Sequence, residues 1–592
     1  MVKSQLIKQL CRAGLVVPLA LLLILFLVIP LAIVISASVT GSSSPYANYV
    51  RLFTQSNGLT ILLNTLKIAL FASVVSTTLA YPVAYYMTTI KGRLLALVSA
   101  GILVPLFTAF LIRTYAWMVV LGREGLINKS LMSLGIIDHP LTLLNTTLAV
   151  IIGMVHVFIP MAVFTMYSSM VKINPEYVRA AQVLGANPVQ AFFRVYLPTS
   201  RPAVLSAGVL IFIVSIGFYV TPAMLGGPSD MMFAQLVVIQ MTTLLDFDLA
   251  YASSVVLLSA TLVVLVVAGL FFPLESIWSP GNDTVTYRYA RRRERGETAA
   301  SRVKATLLRV IEAIGYNCFQ ICATPSGVLL KIYAALVLVF LLAPLAVVVV
   351  LSFSSSSFIT FPPPGFSLRW WAALASATDW QGSFVASLLV GVVAAFLAVV
   401  IGSMGAFWLV RTNPLFKRGL FLFALSPLMV PVVIVAAALY IFEARINILG
   451  TISGLIAGHV LIGTPYVVIV MTTALRVFDA TLEHAAAIHG ATSIQTIRLV
   501  TIPILKPALL TGFLFAFLTS FDELLISTFL IGRHTPTLPI KFWGDIRYQV
   551  NPLLSTAATF IVFSVIAAIA LAGWIRGRRT SSSTLSEVLN VD

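Results

Sequence analysis

Charged residues are scarce in this chain of 592 residues: Asp, Glu, Lys and Arg together make up only 10% of it. Hydrophobic residues make up 59%, and the mean hydropathy is +1.02. A soluble domain typically has about a quarter of its residues charged. The composition therefore excludes a soluble globular protein and predicts a polytopic membrane protein.

Cysteine is also rare. Cys11, Cys318 and Cys322 provide no disulfide framework, and without His or further Cys nearby they predict no metal site. The net charge of +17 raises the possibility of nucleic-acid binding. However, the Lys and Arg residues do not lie on a soluble face among aromatic residues, and membrane proteins concentrate such residues in cytoplasmic loops. We therefore expect no metal and no nucleic-acid partner.

Long apolar runs predict an all-α protein with about twelve transmembrane helices in two sets of six. Each run is long enough to cross the roughly 30 Å hydrocarbon core. The first run follows a basic start, as in a signal peptide, but signal peptides have shorter apolar regions of about 7–15 residues. We therefore interpret it as an uncleaved first span. The predicted spans are 14–36, 61–88, 96–120, 146–170, 203–224, 250–273, 328–352, 383–410, 419–442, 453–475, 508–530 and 554–575.

A basic segment separates the two sets of spans. We predict a first half at 1–276, a basic cytoplasmic linker at 277–327, a second half at 328–576 and a cytoplasmic tail at 577–592. Lys and Arg are enriched in alternate loops, which places both chain ends in the cytoplasm. Each half then begins inside, so the halves are parallel repeats about an axis along the membrane normal.

One loop occurs after the fourth span of each half. We call residues 174–202 the first repeat loop and residues 479–507 the second repeat loop; at an offset of 305, eight of their 29 positions match. Each pattern predicts a helix, a break and a second helix, with Gly185 or Gly490 ending the first helix in a left-handed conformation. The pattern indicates a short amphipathic unit that is polar enough for water.

Further residues support these helix boundaries. Asn174 and Asp479 are placed to cap the first helix of each loop, and Asn187 and Thr492 are placed to cap the second. The prolines that follow, Pro198 and Pro503, predict an interruption before the next apolar run.

The apolar side chains Val183, Leu184, Phe192 and Phe193 suggest that the loop docks into a groove of a partner. The alternative for a single loop is an amphipathic helix lying on the membrane. Repetition with matched breaks favours docking.

The pattern Ala-Ala-x-x-x-Gly, with Pro thirteen residues after the Gly, resembles the EAA coupling loop of permease subunits in bacterial ABC importers. The resemblance covers nearly the whole chain, as two fused permease subunits, and implies a fold like that of type I ABC importers in the bacterial inner membrane. The family's leading Glu is replaced by Arg179 in one loop and His484 in the other. The coupling residues implied, with two nearby acids, are Glu176, Arg179, Ala180, Ala181, Gly185, Pro198, Glu483, His484, Ala485, Ala486, Gly490 and Pro503.

The resemblance also implies partners. Two copies of an ABC ATPase subunit would contact the repeat loops, and a periplasmic solute-binding protein would deliver the solute. The chain has no Gly-Lys dipeptide and hence no phosphate-binding P-loop, so ATP and Mg belong to the ATPase subunits. We therefore expect no catalytic residue and no cofactor in this chain, which is a transport subunit and not an enzyme.

Three shorter segments resemble signatures of spermidine/putrescine permeases: Leu111–Met118, Phe361–Trp370 and Ser520–Glu523. The first half resembles one subunit of the polyamine system and the second half its partner. The implied solute is a polyamine such as putrescine or spermidine. Importers of amino-acid derivatives, phosphonates or ferric iron share these signatures and stay as alternatives. An ion-coupled secondary transporter is an alternative from another class, but it predicts several buried carboxylates and no paired repeat loops.

Ionisable residues inside spans are costly and are therefore candidates for function. Asp522 and Glu523 are predicted to lie inside the eleventh span, where a carboxylate facing the path would bind a cationic amine. Alternatively, they hold the helix to Arg113 or to the backbone of a broken helix. Arg113 itself could face an anionic solute, while Tyr115 and Trp117 are candidates for aromatic contact with a cation.

Overall fold

The computed structural model describes residues 14–40, 46–271, 327–412, 417–532, 536–548 and 551–567. The three cysteines, almost all of the predicted linker and the predicted tail lie outside these residues. The domain boundaries proposed at the linker and the tail therefore stay predictions.

The described chain is helical and built to cross a membrane. Nine helices are long and apolar enough to span it, and a tenth span is counted if Gly92–Phe107 and Phe110–Ser133 form one bent unit. The first predicted span is a 24-residue helix. An isolated antiparallel bridge pairs Ser354 with Phe366. These observations confirm an all-α polytopic membrane protein.

The helices of the first half are α1 (Val17–Thr40), α2 (Ala47–Thr54), α3 (Gly58–Thr89), α4 (Gly92–Phe107), α5 (Phe110–Leu121), α6 (Leu126–Ser133), α7 (Thr147–Met170), α8 (Glu176–Val183), α9 (Pro188–Ile216), α10 (Val220–Leu225), α11 (Phe233–Thr242) and α12 (Phe247–Phe271). Those of the second half are α13 (Val328–Leu351), α14 (Arg369–Ser376), α15 (Thr378–Arg411), α16 (Lys417–Ala424), α17 (Ser426–Met429), α18 (Val432–Arg445), α19 (Ile452–Val477), α20 (Thr481–Ile488), α21 (Ser493–Phe521), α22 (Leu525–Leu530), α23 (Leu538–Tyr548) and α24 (Pro552–Ala567).

The internal repeat extends well beyond the two loops. Each helix from α7 to α12 begins 305 residues before its counterpart from α19 to α24, as Thr147 and Ile452 illustrate. Loop contacts repeat as well: the N–H of Asn145 donates to the carbonyl of Leu225, and the N–H of Gly450 donates to the carbonyl of Leu530. The halves therefore share one backbone design, and differences in side chains between them can be compared position by position.

The prediction that Pro198 and Pro503 interrupt the chain is wrong. α9 and α21 run continuously through these prolines, and each contains a π-helical turn just before the proline, at 192–196 and 497–501. In the first turn, the N–H of Leu197 donates to the carbonyl of Phe192, five residues back. The extra residue in this turn relieves the clash between a proline ring and the preceding turn, so the helix continues.

Several predicted spans are broken into shorter helices. The third span of the first half is bent by 95° between α4 and α5, and its counterpart is divided into α16, α17 and α18. The fifth spans end at Ile216 and Phe521, and the short helices α10 and α22 follow. Asp522 and Glu523 therefore lie in a helix break and not inside a continuous span, which corrects the sequence-based expectation. Hydropathy does not reveal such breaks because the residues on both sides are apolar.

The two halves interlock through their first helices. α1 packs on the second half, where Leu19 lies over Gly405 and the ring of Phe26 is 5.9 Å from that of Phe442. α13 packs on the first half, where the hydroxyl of Tyr333 donates to the carbonyl of Leu79 at 2.9 Å. Each half thus completes the apolar core of the other.

Small residues allow long helices to pack closely. At Gly402 of α15, a Cβ atom would lie 2.9 Å from Cβ of Val467 and 3.2 Å from the carbonyl oxygen of Thr464 in α19. At Gly419 of α16, nothing lies within 4 Å.

We expect Gly402→Val to destabilise the protein by about 1–3 kcal/mol, because the added atoms force α15 and α19 apart. Gly419→Ala serves as the control and should leave stability unchanged or slightly raised. The measurement is the apparent Tm in detergent. An equal Tm for both variants would contradict the close packing.

Candidate functional site

The second helix of each repeat loop begins at the predicted cap, whereas the first helix begins one residue later than predicted, with Pro175 and Ala480 at the cap positions instead of Asn174 and Asp479. The side chain of Asn174 accepts a hydrogen bond from the N–H of Glu176 at 2.9 Å. Asp479 accepts from both the N–H and the hydroxyl of Thr481, and these bonds hold the pKa of its carboxyl below its usual range. Gly185 and Gly490 end the first helices with φ of +90° and +82°, a conformation that favours glycine.

The second helix of each loop begins with the same reciprocal cap. Asn187 accepts from the N–H of Gln190, whose side chain accepts from the N–H of Asn187. Thr492 and Gln495 form the same pair in the second loop. These capping boxes give partners to free N–H groups at the start of each second helix and so define where it begins.

Each loop presents an exposed apolar surface. Val183 and Leu184 are both 87% exposed, and Ile488, the counterpart of Val183, is 84% exposed. Ala180 and Ala485 are also exposed, and open space surrounds Gly185 and Gly490. Exposed apolar side chains of this size next to small residues are typical of a surface that another protein covers.

The two loops are attached to their spans differently. In the first loop, the ring of Phe192 stacks on Tyr196 and contacts Tyr85 edge-on, so Phe192 packs inward and not on the exposed surface. In the second loop, Glu483 bonds with Arg411 at 2.9 Å. The predicted coupling residues Glu176 and Arg179 form an exposed ion pair of their own at 2.7 Å, whereas His484 is exposed. The difference in attachment was not visible from the loop sequences alone.

Four helix breaks meet in the centre of the protein, and we call this contact the central junction. The side chain of Asp522, between α21 and α22, accepts a hydrogen bond at 3.1 Å from the N–H of Phe110, at the break between α4 and α5. On the other side, Gly217 after α9 packs against Pro431 before α18, so closely that a Cβ atom would lie 2.6 Å from Cβ of Pro431. Phe110 keeps 38% of its surface exposed, so the junction borders open space.

The two contacts of the junction occupy equivalent positions in the repeat. Gly217 lies 305 residues before Asp522. Earlier in each half the offset is 322, as the starts of α5 at Phe110 and α18 at Val432 show, and Ala109 and Pro431 are the residues just before these two helices. One contact is therefore polar and carries a carboxylate, whereas its counterpart is apolar. The junction is electrostatically one-sided.

Glu523 has a structural role that differs from that of Asp522. Glu523 is 8% exposed, and its carboxylate accepts from the N–H groups of Leu525 and Ser527, the first and third residues of α22. His459 of α19 bridges the same break, because its two ring nitrogens lie 2.6 Å from the hydroxyl of Ser520 and 3.0 Å from that of Ser527. Sequence reasoning missed His459. The sequence feature that could have indicated it is a polar residue within a predicted apolar span.

Arg113 is 1% exposed and lies beside the junction. Its Nη1 donates to the carbonyl of Val157 at 3.1 Å, and its guanidinium lies over the ring of Phe110 at 4.8 Å. Among the described residues, its Nε and Nη2 find no hydrogen-bond partner. Phe110 therefore contacts both residues, Arg113 through its ring and Asp522 through its backbone N–H.

Tyr115 and Trp117 lie deeper in the helix packing. The hydroxyl of Tyr115 is 2.9 Å from that of Ser555, and the ring of Trp117 packs against Phe340 and His156. Both are buried in this conformation. Within the described ranges, no group of three His, Cys, Asp or Glu side chains could hold a metal ion.

Known proteins resemble the chain in both halves. The family described as "Binding-protein-dependent transport system inner membrane component" matches residues 72–274 and 398–579, which together are more than half of the chain. The two matches begin within the two halves and include both repeat loops.

Curated relatives include two kinds of permease. The spermidine/putrescine transport system permease protein PotB of Escherichia coli (strain K12) is 30% identical over 197 residues, which are 33% of this chain and 72% of that protein. The putrescine transport system permease protein PotI of the same strain is 33% identical over 233 residues, which are 38% of this chain and 83% of that protein.

The match to one solved structure covers 46% of this chain and 97% of the chain in that structure, with a TM-score of 0.40 and 15% identity. That structure is of a bacterial ABC transporter involved in the import of the acidic polysaccharide alginate. The two-fold family match over the interlocked halves, with a repeat loop in each, identifies the chain as a member of the family of inner membrane components of binding-protein-dependent transport systems.

Proposed function

We propose that this permease carries a polyamine such as putrescine or spermidine across the bacterial inner membrane, between its two fused halves. A periplasmic binding protein delivers the solute, and two ATPase subunits, which hold ATP and Mg, act on the repeat loops. Both chain ends then lie in the cytoplasm. The observation that carries the proposal is the pair of exposed repeat loops with the same backbone, joined directly to the helices that end at the central junction.

The connection between loop and junction is direct. α9 runs without interruption from the first repeat loop to Ile216, next to Gly217, and α21 runs from the second repeat loop to Phe521, next to Asp522. An α-helix transmits displacement along its axis because its backbone bonds are internal. Movement of the loops by the ATPase subunits therefore reaches both contacts of the junction.

The junction favours a cationic solute. Asp522 is partly exposed beside the open space, whereas Arg113 is almost completely buried and no solute can reach it in this conformation. A carboxylate at membrane depth offsets the lost hydration of an ammonium group. This arrangement, together with the polyamine permeases among the relatives, supports a polyamine over an anionic solute.

Uptake by proteoliposomes containing the permease, its ATPase subunits and its binding protein tests the function. We expect putrescine or spermidine to accumulate when ATP is supplied, and we expect this uptake to continue when a protonophore collapses the proton gradient. Uptake that requires the gradient and not ATP would support the ion-coupled alternative. ATP-driven uptake of another solute would support the assignment as an importer and reject a polyamine as its solute.

We expect Val183→Asp and Ile488→Asp each to lower co-purification of the ATPase subunits by at least about tenfold, because a charge on an apolar docking surface costs about 1.4 kcal/mol or more. Tyr548→Asp is the control, since Tyr548 is equally exposed, at 84%, but lies at the end of α23 and outside both repeat loops. Unchanged co-purification by both loop variants would reject the loops as the docking surface.

Asp522→Asn separates two roles of this side chain, because Asn keeps an acceptor for the N–H of Phe110 and loses only the charge. If the carboxylate binds the solute amine, we expect uptake to fall by at least about tenfold while complex assembly is unaffected. Glu124→Gln, which removes an exposed carboxylate paired with Lys129, is the control. Normal uptake by Asp522→Asn would leave Asp522 with the structural role alone.

A further inference from the structure

Charged side chains fix the second repeat loop to the neighbouring span. Arg411, the last residue of α15, donates to the carboxylate of Glu483 in α20 at 2.9 Å. The same carboxylate oxygen accepts from the hydroxyl of Thr501, in the π-helical turn of α21, at 2.8 Å. One carboxylate therefore connects three elements: α15, the repeat loop and the span that follows the loop.

The opposite end of α15 is fixed in the same way. Asp379, its second residue, pairs with Lys541 of α23 at 2.7 Å, and Lys541 also pairs with Asp545 at 2.9 Å. The ammonium group lies 5.7 Å from the centre of the Trp380 ring. α15 has 34 residues, so it separates the two ion pairs by about 50 Å.

The first half has the same helices without these charges. The positions equivalent to Arg411 and Asp379, 322 residues earlier, are Thr89 and Asn57. The offset is set by a shared hydrogen bond, from the N–H of Phe233 to Thr65 in one half and from the N–H of Leu538 to Ser387 in the other. The other four positions, at an offset of 305, are also uncharged: Val178 for Glu483, Tyr196 for Thr501, Leu236 for Lys541 and Gln240 for Asp545.

We infer that α15 is a rigid link that couples the second repeat loop to α23 at the opposite end of the protein, and that Arg411, Glu483 and Lys541 are its positioning residues. This inference rests on the proposed function, because the loop must receive motion from an ATPase subunit. The pair at the loop end is well suited to the role, since Arg411 and Glu483 keep only 28% and 21% of their side-chain surface exposed, and at the other end Lys541 is 20% exposed whereas its partner Asp379 is 60% exposed. Solvent and salt screen such pairs less than they screen exposed ones.

The link makes the two halves mechanically different. In the first half, the corresponding loop is held by the packing of Val178 and of the rings of Phe192, Tyr196 and Tyr85. Apolar packing of this kind is not directional, whereas an ion pair with an additional hydroxyl donor fixes direction as well as distance. The ion-paired link through α15 therefore gives the second half a connection between α23 and the second repeat loop that has no charged counterpart at the equivalent positions of the first half.

The test is the stimulation of ATPase activity by the solute-loaded binding protein in the reconstituted complex. We expect Glu483→Gln and Lys541→Met each to lower this stimulation by at least about fivefold, while the ATPase subunits stay bound. Stimulation of the double variant should lie within about twofold of that of the more impaired single variant, because both substitutions interrupt one link. Multiplicative effects, or normal stimulation by both single variants, would reject the link.

Charge reversal distinguishes a specific ion pair from general damage. Arg411→Glu and Glu483→Arg should each lose stimulation, and the combined variant should recover it to within about twofold of the unaltered protein. Asp246→Asn is the matched control, since Asp246 pairs with Arg51 at 2.7 Å, has a similar exposure of 28% and does not contact α15. Failure of the combined variant, with assembly intact, would reject the ion pair as the positioning contact. Absence of any ATP-dependent uptake by the unaltered protein would instead reject the proposed function.

Discussion

The fold depends on how backbone N–H and carbonyl groups find partners where apolar spans break into shorter helices. A broken helix leaves N–H and carbonyl groups without partners, and the hydrocarbon core supplies no water to bind them. In this protein the breaks meet each other: Asp522 accepts from the N–H of Phe110, and Glu523 accepts from two N–H groups that begin α22. One break is therefore stabilised across the two halves, by Asp522 and Phe110, and another within its own half, by Glu523.

The same constraint explains the interlocked arrangement. α1 and α13 each pack on the opposite half, so neither half has a complete apolar core alone. Because the two halves are fused in one chain, each half always pairs with the other. Equivalent positions in the two halves can therefore carry different side chains. Gly217 against Pro431 and Asp522 against Phe110 are one such difference. The attachment of the repeat loops, by aromatic packing in one half and by Glu483 with Arg411 in the other, is a second difference.

Much of this architecture could be predicted from the sequence because its signals are local. Of the twelve spans predicted from hydropathy, up to ten correspond to a helix or bent helix pair of spanning length within the described residues, and the 305-residue offset located loops whose glycines and second-helix caps have the predicted conformations. The helix breaks could not be predicted, since residues such as Ala109 and Pro431 interrupt runs that stay apolar throughout. The prolines after each loop were misinterpreted because a π-helical turn, which depends on the register of backbone bonds, lets the helix continue through them.

The central claim is that the two repeat loops are the surfaces through which ATPase subunits act on the permease. Site-specific cross-linking tests it most directly, with cysteine placed at Val183 or Ile488 and the native Cys11, Cys318 and Cys322 replaced by alanine. The account predicts that each new cysteine forms a cross-link to an ATPase subunit in the assembled complex and is protected there from a water-soluble thiol reagent. Cysteines that react only with lipid-soluble reagents, and form no cross-link to the ATPase, would contradict the account.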